Sequence, residues 1–522
     1  MSEKRGRVYD IGSFLFCLQR VGARFNPTQK SLISLFSTVG RSGLTNSTNA
    51  MQKNPSFFRA SRSAVLVALS VIVIFSRCSY EEEPEPYKVL ELTASTSSSC
   101  GCTYVVPFTT GTATVDGAKL GLKPGAVVCL EGNKTWGNVV FKNIRGSSTA
   151  PITIKNCGGT VNIVGTGKSY GIRTETSSYF RVTGTTGSGT AGYGIRVNGG
   201  NMSITFDKQS TNFELDHVEV YNSGFAGVVA KTDPACDNLG VRGYFTMRDT
   251  KFHDNYVHDT SGEGFYIGNS FWLGGVNTSC GKKYPHAVEN AKVYNNLIKN
   301  SGWESIQVGS APVGTEVYGN RIENYGTKNV TAQNNGIQFG EGTVGKLYGN
   351  YIKGGKGNGI IVIGNGQNFV HDNVIVNAGQ DGIFCDDRVV GTGFTFTNNT
   401  IIRPGLNGIR LYADQVTLSK IQNNIIIAPG NYNKLVYPRK KEEAYVYLLS
   451  SAVKVNVLNN FNSLDINAPK FVAATSDNYA LTSASTAVMN KGTSISALGI
   501  PVDFANKARV NGTVDIGAFE FH

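Results

Sequence analysis

The sequence predicts an all-β chain wound as a parallel β-helix, and two observations predict it. The first is a short unit repeated from His253 to Asn424. Asn255, Asn296, Asn320, Asn350, Asn373, Asn399 and Asn424 mark its copies, at spacings of 41, 24, 30, 23, 26 and 25 residues. A period in the twenties is the signature of a solenoid. The second is the strand that follows each polar turn: GFYIG, SIQVG, GIQFG, GIIVI, GIFCD and GIRLY. Its alternation puts one face inward and one outward, and no helical apolar stripe longer than a turn or two interrupts it. Coils stacked about 4.8 Å apart bring identical Asn side chains into a hydrogen-bonded column. Gly227, Gly264, Gly336, Gly359, Gly382 and Gly408, with Ser305 in the odd copy, are expected at tight corners that need positive φ. These Asn and Gly roles are structural.

Solenoids lengthen without splitting, so 522 residues need not mean several domains. The 62 glycines and the 16% of charged residues suit a turn-rich all-β chain. The net charge of +12 is misleading. Residues 1–78 hold 11 of the 49 Lys/Arg and 2 of the 37 Asp/Glu, so the remainder is nearly balanced. Nucleic acid is therefore not an expected partner.

Residues 1–50 are basic and patternless, and we read them as a mis-called extension before a true start at Met51. Residues 51–78 read as an export signal: Lys53, Arg59 and Arg62, the apolar run AVLVALSVIVIF at 64–75, then Cys78. The run is short for a membrane span and right for a signal. Cys78 followed by SYEEEPEP resembles a bacterial lipoprotein. That resemblance implies an acylated Cys78, an anchor in the outer membrane and a tether over residues 79–99; a cleaved signal and secretion is the alternative.

Beyond Cys78 there are seven cysteines. An odd number leaves one free, and Cys385, at an inward position of GIFCD, suits that place. Cys236 and Cys280 lie in two long loops and are a disulfide candidate in an oxidising compartment. No Cys–His spacing suggests zinc.

From Cys100 to about Phe206 the strands are less regular: AVVCLEG, NVVFKNI, PITIKNCGG, VNIVG, YFRVTG and YGIRVNG. PGAVVCLEGNKTWGNVVFKN followed by PITIKNCGG resembles the opening coils of extracellular pectate-lyase-like proteins. The tail, with SASTAVMNKG and DFANKARVNGTVDIGAFEF, is similar to the closing segment of many bacterial right-handed β-helix proteins. The resemblance implies a right-handed single-stranded helix over 100–464, including a charged insertion near YPRKKEEAY, and a C-terminal capping segment over 465–522. Asp503, Arg509 and Asp515 read as structural ion-pair candidates. A monomer is expected. The superfamily spans lyases, glycosidases, epimerases, esterases and proteins without known activity, so fold cannot choose the function.

A β-helix binds on the outer face of a sheet, between long corner loops. Two insertions stand out, KTDPACDNLGVRGYF (231–245) and NSFWLGGVNTSCGKKYPHA (269–287). Long loops on a compact scaffold lean functional. They carry Tyr244, Phe271, Trp272 and Tyr284 for stacking on sugars, with Lys231, Lys283 and His286. Beside them a polar column reads Glu263, Glu304, Asn335, Asn358, Asp381, Asn407. Glu263 and Glu304 fall on adjacent coils, roughly 5 Å apart. Such a pair splits its titration into an acid and a base, or holds a cation such as calcium. The outward column Val229, Tyr266, Gln307, Gln338, Ile361, Phe384, Arg410 places a polar strip next to them. The segment HDNYVHDTSGEGFYIG adds His253 and His258, and His217 lies near the same Asn column. Asp386, Asp387 and Arg388 form a second candidate, for calcium or a salt-bridged turn. Their Asp pair is reminiscent of polygalacturonase-type glycosidases, whose other motifs are missing.

Three functions are open. A lyase or epimerase on a uronate-containing polysaccharide would use Lys231, His258 or Tyr266 as base. Glu263 and Glu304 with Ca²⁺, or Gln307 and Gln338, would neutralise the sugar carboxylate. Trp272, His286, Arg388 and Arg410 would contact substrate. A glycoside hydrolase would use the Glu263–Glu304 pair. A non-catalytic glycan-binding surface protein would use the aromatic loops alone.

Overall fold

In the computed structural model the described residues are 100–185, 192–388, 390–434, 440–509 and 513–522. The chain divides into units Met1–Glu83 and Pro84–His522, and every described residue belongs to the second. The leader, Cys78 and the 79–99 tether lie outside the described residues.

Each coil runs through three parallel sheets. The first has 13 strands, from Tyr104–Val105 to Val455–Leu458; the second has 12, from Lys134–Trp136 to Phe461–Ser463; the third has 12, from Ala113–Asp116 to Val446–Leu448. The inward residues stack by kind. Val293, Val317, Leu347 and Val370 line up along the first sheet, and Ile298, Ile322, Ile352 and Ile375 along the second; all are within 1% of full burial. Each such side chain contributes about 1.5–3 kcal/mol on burial, so the repeat itself generates the core.

The Asn column forms as expected, at the corner between first and second sheets. Asn320 donates from Nδ2 to Asn350 Oδ1 at 2.9 Å and to Val293 O at 2.9 Å, and its own Oδ1 accepts from Asn296. The glycine expectation is corrected. The backbone that needs positive φ is the residue before each Asn: Asp254 (53°), Asn295 (54°), Gly319 (63°) and Asp372 (52°) among them. Gly264 and Gly359 are required for a different reason. A Cβ on Gly264 would lie 2.5 Å from Ser305 O, and one on Gly359 2.5 Å from Ile375 Cγ2. The column is glycine because the next coil and the core approach too closely for any side chain.

Two disulfides, Cys100–Cys157 and Cys102–Cys129, pin the first coils, and Leu120 and Leu122 pack there against the core. Cys236 pairs with Cys280, and Cys385 is free and buried. Among the described residues, the tail from 465 onward packs on the side of the helix. The described residues 465–509 and 513–522 run along the outside of the second sheet, where Tyr479, Leu481, Val488, Ile516 and Ala518 cover Val374, Val376, Ile402, Ile425 and Ile427. In the last coil Val457, in register with core Ile421, is 45% exposed. The three-residue strands Val374–Val376 and Ile425–Ile427 are apolar on both faces, so the tail is drawn to their outer side rather than to the end. Arg509 pairs with Asp372 and Glu520 rather than with Asp503 or Asp515. Those two carboxylates accept backbone N–H groups, from Lys507 and Glu520 and from Asn490 and Phe521.

Candidate functional site

The two long loops leave the third sheet from adjacent strands, Ala226–Ala230 and Phe265–Ile267. They are joined to each other by Cys236–Cys280 and by Lys283 Nζ on Asn238 Oδ1 at 2.9 Å. The Arg242 guanidinium lies 3.3 Å from the Trp272 ring centroid and 5.4 Å from that of Tyr284. Trp272 in turn rests on Gly342, where a Cβ would come within 2.3 Å of the indole. Leu273 N–H donates to Glu341 at 3.3 Å. The loops therefore make one wall beside the third sheet, fringed by the exposed rings of Tyr244, Phe271 and Tyr284.

The outward column follows the expected register: Val229, Tyr266, Gln307, Gln338, Ile361, Phe384 and Arg410 are cross-strand partners in turn. Tyr266 Oη and Gln307 Nε2 each lie 3.1 Å from Ser270 Oγ. Lys231 Nζ sits 4.9 Å from the Tyr266 ring centroid and 2.6 Å from Asp233 Oδ1. Burial alone would favour a neutral amine, but Asp233 and Tyr266 outweigh it and raise the Lys231 pKa. Lys231 is thus a permanent cation and not the base expected from sequence. Its side chain is 17% exposed, while that of Asp233 is 72% exposed.

Glu263 and Glu304 belong to a second buried ladder, at the corner before the third sheet. Asn335 Nδ2 donates to Glu304 Oε1 at 3.0 Å, Asn358 Nδ2 to Asn335 Oδ1 at 2.8 Å, and Asn407 Nδ2 to Asp381 Oδ1 at 2.7 Å. Arg410, an outward residue, binds Asp381 at 2.7 Å, so the ladder runs beneath that sheet's outer face. Glu263 is 2% and Glu304 0% exposed, and the Oε2 of each has no hydrogen-bond partner. Burial pushes Glu263 up to about 7, against the pull of Lys231. Burial, then the neighbouring Glu263, pushes Glu304 up to about 8. The pair therefore exchanges protons near neutral pH, the range suited to general acid–base work, but from beneath the surface. Calcium takes six to eight oxygens. Two buried carboxyls, one of them bonded to the Asn335 amide and the other under the influence of the Lys231 ammonium, do not supply that set.

Other expected site residues fall elsewhere. His258 is on the second sheet, because the Asn255 corner turns the chain between it and His253. Its ring stacks on Tyr256 and Tyr221 at 4.2 and 5.3 Å, and its nitrogens meet Asp259 at 2.6 Å and Glu219 at 3.3 Å. Burial lowers its pKa, but the two carboxylates outweigh that and raise it. His286 is fully buried. Its Nε2 accepts the Thr232 N–H at 3.1 Å and its Nδ1 is 2.9 Å from Ala287 O. Burial pushes it down to about 4, so it is a neutral tie between the loops rather than a substrate contact. Arg410 stacks 4.3 Å from the Phe384 centroid and serves Asp381. Asp386, Asp387 and Arg388 leave the strand Ile383–Cys385, four coils or about 19 Å from Tyr266. There Asp387 Oδ2 accepts the Gln415 N–H at 2.7 Å, and Arg388 is exposed. They do not join the Lys231–Tyr266 cluster.

Sequence reasoning missed Arg242, Asp233 and Ser270, which sit in loops with no repeat to compare. It also missed an outer aromatic stack on the first sheet: His253, Tyr294, Tyr318, Tyr348 and His371, with successive centroids 4.6–4.9 Å apart. A signal was present, since each of these rings stands two residues before a ladder Asn.

Fold and site together define a right-handed parallel β-helix protein with a polar, loop-walled face on its third sheet. Residues 285–461 match the family model described as right handed beta helix region. Among solved structures the chain is similar to pectate lyase Pel9A (18% identity, TM-score 0.38, 78% of this chain and 90% of that one). It is also similar to a GH136 lacto-N-biosidase from Eubacterium ramulus (12%, 0.40, 66% and 63%). A third is a PL6 family polysaccharide lyase from Pseudopedobacter saltans (14%, 0.37, 70% and 95%). No curated protein matches the sequence. At these identities no residue role carries over.

Proposed function

We propose that the outer face of the third sheet binds a uronate-containing polysaccharide and cleaves it by β-elimination. The observation that carries this reading is Lys231: a largely buried ammonium, held by the exposed Asp233 carboxylate and set against the Tyr266 ring. A sugar carboxylate takes the place of Asp233 on Lys231. The Gln307 and Gln338 amides lie next along the column and orient it. Withdrawal of charge onto Lys231 stabilises the enolate that forms when the C5 proton leaves. The Tyr266 oxygen, on the ring set against Lys231, is the group that takes that proton. The C5–H electron pair becomes the C4–C5 double bond, the C4–O bond breaks, and the departing oxygen takes up a proton. An epimerase would share the first step and return the proton to the opposite side. The aromatic fringe of Tyr244, Phe271 and Tyr284 supplies stacking surfaces for neighbouring sugars. The three disulfides support an oxidising compartment and therefore export, with acylation of Cys78 as the proposed anchor.

The test is ultraviolet absorbance of the unsaturated uronide, using the purified chain with alginate, pectate, chondroitin and heparin, each with calcium and with EDTA. Tyr266→Phe and Lys231→Met should each lower the rate by about a hundredfold or more. New reducing ends without absorbance would replace the lyase by a hydrolase, and for the buried Glu263 and Glu304 to serve it the sheet would have to open over them. Neither signal on any of the four glycans would leave the second reading, a glycan-binding protein without turnover. The exposed aromatic fringe favours that reading independently of Lys231.

A further inference from the structure

We infer that Cys236–Cys280 is a thiol-exchange site, a redox latch on the loop pair that walls the polar face. Three observations carry it. The first is exposure. Both cysteines of this pair are exposed, whereas Cys102 and Cys129 are buried and Cys100 and Cys157 half-buried. Access to sulfur is a condition for exchange. The second is the surroundings of the sulfurs. Ser279 Oγ lies 3.3 Å from Cys236 Sγ, and Thr278 Oγ1 lies 3.1 Å from Cys280 Sγ. Each sulfur thus has a hydroxyl in reach to solvate it as a departing thiolate, which speeds exchange. The third is what the bond joins. Cys100–Cys157 and Cys102–Cys129 tie the opening coils, whose strands are already paired. Cys236–Cys280 ties one loop to another across 44 residues.

The exchange balances with a small-molecule thiol as co-reactant. Its thiolate bonds to one exposed sulfur and the other cysteine leaves as thiolate. A second thiolate then displaces the first, leaving Cys236 and Cys280 as thiols and the reagent as its disulfide. Opened, the half of the wall around Arg242 and His286 keeps its own ties: the Arg242–Trp272 stack, Arg242 N–H on Tyr284 O, His286 N–H on Gly240 O and the His286–Thr232 bond. The stretch around Cys236 keeps the Lys283–Asn238 bond. Asp233 stays anchored on one side through Thr232, which bonds to His286 and Asn269, and loses the disulfide three residues further on, so the loop beyond it gains freedom beside Lys231. The consequence for glycan rests on the proposed function; the exchange itself does not.

The experiment treats the folded full chain with graded dithiothreitol, alkylates it with isotopically tagged iodoacetamide and reads the peptides by mass. Cys236 and Cys280 are expected to label together at reductant levels that leave Cys100, Cys102, Cys129 and Cys157 unlabelled. Tryptic cleavage at Lys231, Arg242, Lys282 or Lys283 is expected to rise about tenfold or more in that form. A Cys236→Ser, Cys280→Ser double variant should show the same cleavage without reductant. Simultaneous or reversed order of reduction, or unchanged cleavage in both the reduced protein and the variant, overturns the latch. Binding of alginate or pectate, compared before and after selective reduction, should weaken about tenfold. Equal binding overturns the control of the site. If neither form binds any glycan, the polysaccharide reading fails while labelling and cleavage still decide the latch.

Discussion

Glu304 shows how one side chain in a repeat changes the chemistry of its position. The ladder it occupies carries an amide at Asn335, Asn358 and Asn407, and an amide satisfies both neighbours through one donor and one acceptor. A carboxyl there accepts from Asn335 but leaves Oε2 buried and without a partner. Its proton is held more tightly in the fold than in the unfolded chain. Stability is therefore whole below about 4.5 and falls as pH rises toward about 8, where Glu304 ionises in the folded protein. Glu263 titrates with it, so the fall belongs to the pair. Glu304→Gln should remove most of this loss. We expect melting points close to the parent at pH 5 and a gain of about 2 kcal/mol at pH 8.5, read by thermal melts across the range; a gain equal at both pH values would contradict a protonated Glu304. The two glutamates were legible in sequence as an adjacent-coil pair. Their burial was not, because a column position tells which residues stack but not what covers them. Lys231 shows the same limit. Its charge state is decided by Asp233, two residues away in a loop that has no counterpart in other coils.

At the scale of the corner, side-chain bonding between coils explains why the Asn signal was readable at all. Asn320 bonds to the coil on each side and to its own chain, through Asn350, Asn296, Val293 and Tyr318. No other residue of that size has the amide fork that does this, so the sequence must repeat it. Asn320→Ala removes the acceptor of Asn296 and frees buried backbone carbonyls. A loss of about 2–4 kcal/mol is expected from denaturant unfolding, whereas the same change at the exposed Asn277 should cost almost nothing. The glycine column was equally visible but for a reason read wrongly: close approach of the next coil rather than positive φ. Sequence alone does not separate those causes, since both forbid a Cβ. His258 was misassigned for a related reason. A two-residue corner at Asp254 and Asn255 puts residues five apart on different sheets, and linear proximity to Tyr266 says nothing about the face.

Within the unit Pro84–His522, the tail is a fourth layer laid on the outer side of the second of three sheets. The signal for it was in the strands themselves. A strand with one solvated face alternates, whereas Val374–Val376 and Ile425–Ile427 are apolar throughout, which demands cover on both sides. Arg509 fixes that cover in place. It is buried between Glu520 of the tail and Asp372 of the rod, and donates to Gly517 O at 3.1 Å. Removing it leaves two carboxylates buried without their cation, a loss of about 3–5 kcal/mol by analogy with broken buried pairs. Arg509→Met keeps most of the volume and isolates that electrostatic loss. Hydrogen exchange followed by mass spectrometry should then show protection lost in Asn478–Leu481 and in residues 514–518. The inward-facing Asn ladder and the strands of the third sheet should keep theirs, because their bonds run coil to coil and do not pass through the tail. If protection instead falls together along all three sheets, the tail is part of the same cooperative unit as the rod, and the layered description of stability is wrong. The first outcome is the expected one, because Val457 of the last described coil is 45% exposed while in register with core Ile421, so the tail places its apolar residues on the second sheet's side and not on that coil.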